Sequence, residues 1–344
     1  MRPSFIHHLH PPTIPARQAR LRYTLAAGGV AVFLSFILLV TGLLEMFYYI
    51  PTPEQASTSI QTITFLVPYG NLVRNLHFWS AQLLVIITIF HLLRVVLTGS
   101  YAALRRFNYL LGMGLLVLVI LLDFTGYVLR WDEGVRWALV TGTNLVQSIP
   151  FIGNGLYTIL VGGSQPGQAT LIRFFGWHIL GLSLIAGILV GWHIFRVRRD
   201  GGIAVPPPPQ REDQNRITRF ELVRRETLAM LVTGSVLLAL STFFPAPLAA
   251  GMTNLVPSSE SVHAPWFFLW VQEMLKLGSP FLWGVVVPLA ILVIISSIPY
   301  FLPKPEPAHL GHWFPKSNRL AQVITLLILV VIIILTILAL IPAS

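Results

Sequence analysis

The sequence predicts an all-α membrane protein: a four-helix bundle followed by three further transmembrane helices, seven spans in all. Three observations predict it. Of the 344 residues, 55% are hydrophobic and only 10% charged, with a mean hydropathy of +0.74, whereas a soluble domain carries roughly a quarter charged residues. Seven stretches reach the roughly 20 mainly apolar residues that a bilayer crossing needs: 24–48, 77–98, 109–129, 175–195, 227–246, 280–302 and 319–341. The charges collect between these stretches, so lipid is the solvent for most of the chain. Lipid-exposed backbone must close its hydrogen bonds within its own segment, which makes each stretch a helix.

Taken in order, the chain opens on a polar, Pro-rich segment, Met1 to Arg22, without the small-residue cleavage site of a removable signal peptide. Four spans follow as one unit, residues 1–199. Residues 200–219 (DGGIAVPPPPQREDQNRITR) are too polar to pack and too rich in Pro to be helical throughout. They open a linker, 200–226, ahead of a three-span unit at 227–344. Two loops are long, 130–172 and 247–279. Their aromatic and Pro-rich runs read as ordered, and loops of such length usually carry function.

Charge sets the sidedness. With the N-terminus inside, the inner segments 1–23, 93–108, 195–226 and 303–319 hold 4, 3, 8 and 3 of the 23 Lys and Arg. The others, Arg74, Arg130, Arg136, Arg173 and Lys276, fall outside. The positive-inside rule therefore predicts a cytoplasmic N-terminus and an outer C-terminus in a multi-pass cell inner (plasma) membrane protein. The net charge of +10 is spent on this orientation, and no nucleic-acid partner is expected. The absence of cysteine excludes disulfides, thiolate-held clusters, thioether-linked haem and a Cys nucleophile from this chain.

Of ten histidines, four lie in the spans: His77 and His91 on the second, His178 and His193 on the fourth. The steps are 14 and 15 residues. At about 1.5 Å and 100° per residue they climb about 21 and 22 Å, one falling about 40° short of whole turns and the other passing them by about 60°. The second and fourth spans run in the same direction, so His77 can face His178 near the outer side and His91 can face His193 near the inner side. Two imidazoles facing each other at one depth are what a six-coordinate haem iron requires, and bundle cores are where such sites are built. A single intramembrane histidine is as often a helix–helix hydrogen-bonding residue. Four matched in depth on parallel spans are not explained by packing, and no span puts a carboxylate beside them to make a zinc or di-metal site. Two b-type haems, held without covalent linkage, are the expected cofactors.

The neighbouring spans fit that reading. Gly28 and Gly42 on the first, and Gly112 and Gly126 on the third, are each 14 apart, the ligand interval of the second span. Glycines in membrane helices are otherwise close-packing sites. Arg74 and Arg173 precede the outer histidines and are placed to pair with haem propionates. Arg94 and Arg198 follow the inner histidines, where membrane anchoring accounts for them equally well.

These residues carry a resemblance. GNLVRNLHFWSAQLLVIITIFHLLRVVLTGS around the second span, DFTGYVLRWDEGVRWA after the third, and SIPFIGNGL with GQATLIRFFGWHIL before the fourth resemble the cytochrome b/b6 family over about residues 20–341. That family supplies the quinol-oxidising membrane subunit of cytochrome bc and b6f complexes. The 15-residue step resembles the b6 branch, and the last three spans look like subunit IV fused behind the linker. The resemblance implies a cytochrome b subunit of a respiratory or photosynthetic bc-type complex, a redox subunit active only within its assembly. Quinol would be oxidised near the outer face, between the loop after the third span and the loop before the sixth. One electron would pass to a Rieske-type iron–sulfur protein. The other would cross from the His77/His178 haem to the His91/His193 haem and reduce quinone near the cytoplasm, coupled to proton translocation. A cytochrome c-type subunit and a homodimer of the complex are further implied.

The chain also departs from the family. The quinol-site motif Pro-Glu-Trp-Tyr is replaced by Ala264-Pro265-Trp266-Phe267-Phe268, so Pro265 and Trp266 remain while the Glu that accepts a quinol proton is missing. Glu273 is the expected substitute, then Glu133, with Asp132 also a candidate. Leu129-Arg130-Trp131 stands for Leu-Pro-Trp and brings a cation to the pocket rim. Asp123, inside the third span, has no partner evident in the sequence; intramembrane carboxylates are functional candidates by default. Ala26 occupies the place of the Cys that tethers an extra haem in b6 proteins, so a covalent haem is not expected. The alternative function is a di-haem, quinone-linked membrane anchor of another oxidoreductase, without bifurcation.

Overall fold

The computed structural model describes residues 12–20, 24–205, 215–252 and 264–341. Most of the N-terminal segment, the middle of the linker and part of the second long loop thus lie outside the described residues. In chain order the helices are α1 (Ala27–Met46), α2 (Ala56–Phe65), α3 (Gly70–Leu97), α4 (Arg106–Leu129), α5 (Glu133–Gln147), α6 (Gly153–Val161), α7 (Gln168–Arg199), α8 (Arg219–Phe243), α9 (Leu269–Leu275), α10 (Phe281–Phe301) and α11 (Lys316–Leu340). Among the described residues seven of them, α1, α3, α4, α7, α8, α10 and α11, are long and apolar enough to cross a membrane. The protein is an all-α membrane protein with the seven spans that the apolar stretches predict. Large side chains such as Phe36, Leu184, Ile188 and Leu327 point away from the bundle, as a lipid-facing surface requires.

Where the helix ends differ from expectation, polar residues explain it. α3 starts at Gly70 rather than 77, because Arg74 and Asn75 are buried and fully used. The Asn75 amide donates to the Ser241 carbonyl at 2.8 Å and its oxygen accepts the Ala246 N–H at 2.9 Å. Arg74 donates to the carbonyls of Ala246 and Pro247. A buried polar group costs about 1–3 kcal/mol if left unpaired, so these bonds fasten the chain after α8 onto the start of α3. α7 likewise begins at Gln168, where the Thr170 hydroxyl donates to Val161.

α8 begins at Arg219, with the Thr218 hydroxyl accepting the Glu221 N–H at 3.3 Å. Residues 219–226, read as linker, are therefore helix. Just before them β2 (Arg216–Thr218) pairs antiparallel with β1 (Thr13–Pro15). The two long loops carry ordered helix: α5 and α6 in the first, α9 in the described part of the second.

Three apolar clusters hold the bundle. Val30, Leu34, Leu84 and Leu237 join α1, α3 and α8. Val96, Tyr109, Met113 and Ile298 join α3, α4, α10 and α11 with Ala321. Val128, Leu129, Leu139, Leu171 and Phe174 close the end where α4 and α5 meet α7. The arrangement leaves α3 and α7 facing each other through their histidines, with α1 packed on α3 and α4 on α7.

Candidate functional site

The four intramembrane histidines meet two by two. His77 on α3 and His178 on α7 have ring centres 6.4 Å apart, and so do His91 and His193. A metal–imidazole bond is about 2 Å, and two such bonds with the two ring radii add up to this separation. Among the described residues no group of three or more His, Asp or Glu could hold a metal ion by itself. Two nitrogens on opposite sides suit an iron whose other ligands come from a porphyrin plane.

The unequal steps of 14 and 15 residues reach the same registration through the backbone. Trp177–Gly181 of α7 is a π-helical turn, its closing bond running from the Leu182 N–H to the Trp177 carbonyl. That turn absorbs one residue, so His178 faces α3 instead of overshooting. The Ser183 hydroxyl donates to the His178 carbonyl, giving a partner to an oxygen inside the irregular turn.

The glycines stand behind the rings. A Cβ at Gly126 would lie 2.8 Å from His178 Cε1, at Gly42 3.0 Å from His77 Cε1, at Gly112 3.4 Å from His193 Cε1 and at Gly28 3.8 Å from His91 Cε1. α1 thus admits the two rings of α3, and α4 the two rings of α7. This is a cradle that a side chain would fill, most tightly at Gly126 and Gly42.

Two threonines that sequence reasoning missed complete the His77/His178 level, called the upper pair. Thr41 Oγ1 lies 2.9 Å from His77 Nδ1, and Thr125 Oγ1 lies 3.0 Å from His178 Nδ1. Each hydroxyl has one proton, and each sends it to a backbone carbonyl one turn back, Ile37 at 2.7 Å and Leu121 at 2.8 Å. The threonine oxygen must then accept from the ring, which fixes the Nδ1–H tautomer and leaves the Nε2 lone pair for a metal. At the lower pair no threonine stands at Nδ1: that of His91 closes no hydrogen bond among the described residues, and the His193 ring faces the Asn108 backbone. The signal was present in the sequence: both upper glycines follow a threonine, while the lower ones follow Ala27 and Leu111.

Three of the four predicted arginines, Arg74, Arg173 and Arg94, have backbone partners. Besides Arg74, Arg173 donates to Ala169 and Val161, Arg94 to Ala204, and Arg198 lies within electrostatic range of Glu226.

At the upper end, Trp266–Phe268 form a 3-10 turn ahead of α9, and the Ala264 N–H donates to Gln272 Oε1 at 2.7 Å. The Phe268 ring meets Phe124 of α4 at 5.7 Å. The Trp266 indole N–H donates to Gln82 Oε1 at 2.7 Å, and the Gln82 amide donates to Asp123 Oδ1 at 3.1 Å. Asp123, without an evident partner in the sequence, has one here. The expected carboxylates each meet a cation: Glu273 meets Lys276 at 2.6 Å, Glu133 meets Arg136 at 3.0 Å and buried Asp132 meets Arg130 at 2.7 Å.

The family described as "Cytochrome b(N-terminal)/b6/petB" matches residues 82–251. "Cytochrome b6" of Cyanidium caldarium is 38% identical over 174 residues, which is 51% of this chain and 81% of that protein. The chain belongs to the cytochrome b6 family. "Cytochrome b6" of Heliomicrobium gestii is 35% identical over 192 residues, covering 56% of this chain and 88% of that one. A chain of a solved structure titled "Hyperthermophilic respiratory Complex III" shares the fold across 94% of this chain and 85% of its own, with a TM-score of 0.80 and 22% identity. Membership of the cytochrome b6 family implies haem b as cofactor, and the paired histidines with their glycine cradles fit it.

Proposed function

We propose that this chain is the cytochrome b subunit of a bc-type complex, moving electrons from quinol across the membrane through two haem sites and coupling that to proton translocation. The observation that carries the reading is repetition: two histidine pairs with equal ring separations, stacked on the same two helices. Two b-type haems, when bound, supply one-electron carriers at two depths. His77 with His178, and His91 with His193, would hold them. Thr41 and Thr125 orient the upper ligands, while Gly28, Gly42, Gly112 and Gly126 clear the space behind all four. The 14-residue step on α3 separates the levels by about 21 Å. In a low-dielectric layer each elementary charge moved across is worth about 2.3 kcal/mol per 100 mV.

The quinol site of this reading lies at the upper end, between the C-terminal end of α4, α5 and the segment carrying Pro265 and Trp266. Apolar rings there, Phe124 and Phe268 among them, exclude water from the reacting oxygen. The basic segments 1–23, 93–108, 195–226 and 303–319 face the cytoplasm, which puts the upper pair toward the outer side of a plasma membrane. Residues 1–199 act as the b6-like di-haem unit and 227–344 as the subunit IV-like unit, an arrangement supported by a fold likeness that extends over nearly the whole chain. The partners of the reading are a Rieske-type iron–sulfur protein, a cytochrome c-type subunit, quinone and a second copy of the complex.

Purification of the native complex from its membranes tests this. The expected preparation shows two b-type haem signals, is reduced by quinol and contains an iron–sulfur protein. A colourless preparation, or one with haem but no iron–sulfur partner and a single quinone site, contradicts the reading.

A further inference from the structure

Oxidising a quinol requires somewhere for its protons to go, and residues 264–268 lack the family's carboxylate. We infer that Asp123, held by Gln82 and joined through it to Trp266, is the proton acceptor for hydroquinone in this chain. The inference rests on the quinol-oxidising reading above.

Placement is the first argument. Asp123 lies on α4 next to Phe124, and the Phe124 ring meets Phe268 of the motif at 5.7 Å and Phe174 of α7 at 6.2 Å. A Cβ on Gly142 of α5 would come within 3.1 Å of the same ring. The Phe124 ring therefore belongs to the wall that α5, α7 and the motif segment close around, and Asp123, about 100° round the helix from it, faces Gln82 of α3, which the motif's Trp266 also reaches.

Connection is the second. Trp266 donates to the Gln82 oxygen at 2.7 Å, and the Gln82 nitrogen donates to both Asp123 oxygens at 3.1 and 3.3 Å. An indole N–H can only donate, so it fixes which end of the glutamine amide faces the carboxylate. A residue of the altered motif thereby orients a carboxylate on another helix. The substitution of the motif and the presence of an acid inside a span become one feature rather than two.

Competition is the third. Glu273, Glu133 and Asp132 each sit against a cation, and taking a proton would give up that pairing. Asp123 receives hydrogen bonds from a neutral amide and makes no ion pair among the described residues. In the step itself, one hydroquinone O–H bond breaks. The proton goes to an Asp123 oxygen, and the electron goes to a one-electron oxidant of the iron–sulfur class on a partner subunit. Gln82 can remain bonded to the other oxygen of the neutral acid.

The test uses the intact complex carrying Asp123→Asn. Its haem spectra should match wild type, while kcat for quinol oxidation falls about 100-fold and KM stays within about twofold. Infrared difference spectra on quinol addition should show a protonated-carboxyl band in wild type that Asp123→Asn lacks. Gln82→Leu, which removes only the orienting amide, should slow turnover about tenfold with the same spectra, and it decides the matter if Asp123→Asn does not assemble. Wild-type turnover in whichever of these variants assembles with intact haem spectra overturns the inference, as does a loss carried by Glu273→Gln instead. Missing haem signals in the wild-type complex would overturn the function reading itself, a separate result.

Discussion

The upper and lower histidine pairs have the same ring separation but different surroundings. His77 and His178 each give a proton to a threonine oxygen, and the glycines behind them leave the least room, with Cβ positions 3.0 and 2.8 Å from the rings. His91 and His193 have no threonine at Nδ1 among the described residues, the His193 ring facing the Asn108 backbone instead, and have looser glycines, at 3.8 and 3.4 Å. One level is thus built by threonine hydrogen bonds and tight clearance, the other without either. Identical ligands can in this way be tuned apart, because the partner of Nδ1 controls how strongly Nε2 donates.

Filling the cradles tests the tight-against-loose contrast, and the effect should be large. Gly126→Ala forces the His178 ring to move and should lose the upper haem signal, with Gly42→Ala next. Gly28→Ala makes only an ordinary contact and should keep full haem content. The haem-to-protein ratio from absorption spectra measures this, and an equal loss at Gly28 and Gly126 would erase the distinction. A smaller effect sharpens the hydrogen-bond contrast. Thr41→Val or Thr125→Val removes the acceptor of an imidazole proton, worth about 1 kcal/mol. The ligand becomes a weaker donor, the oxidised state loses stability, and the upper potential should rise by about 40 mV. Redox titration should find the lower potential unmoved.

The sequence carried the spans and the ladder because both are periodic and local: apolar runs of bilayer length, and histidines at intervals close to whole helical turns. It did not carry what depends on contacts distant in the chain. α3 begins at Gly70 because Asn75 bonds Ser241 and Ala246, a pairing across some 170 residues that a hydropathy window counts only as polarity. The calculated overshoot at His178 disappears in a π-turn, a backbone choice made by packing. The short helices α5, α6 and α9 are below bilayer length and read as ordered loop. Within the site, the four histidines and four glycines meet as their intervals suggest, and Thr41 and Thr125 were legible as neighbours of the upper glycines. The partner of Asp123 was not, since Gln82 looks like any polar residue until α3 and α4 are brought together.

The central claim is that each depth of the bundle holds its own bis-imidazole haem. Low-temperature spin-resonance spectra of the purified complex, wild type beside His91→Ala, test it most directly. The account predicts two low-spin signals in wild type and, in the variant, loss of the lower one with the upper one kept. Both signals surviving the substitution, or only one present in wild type, would contradict it.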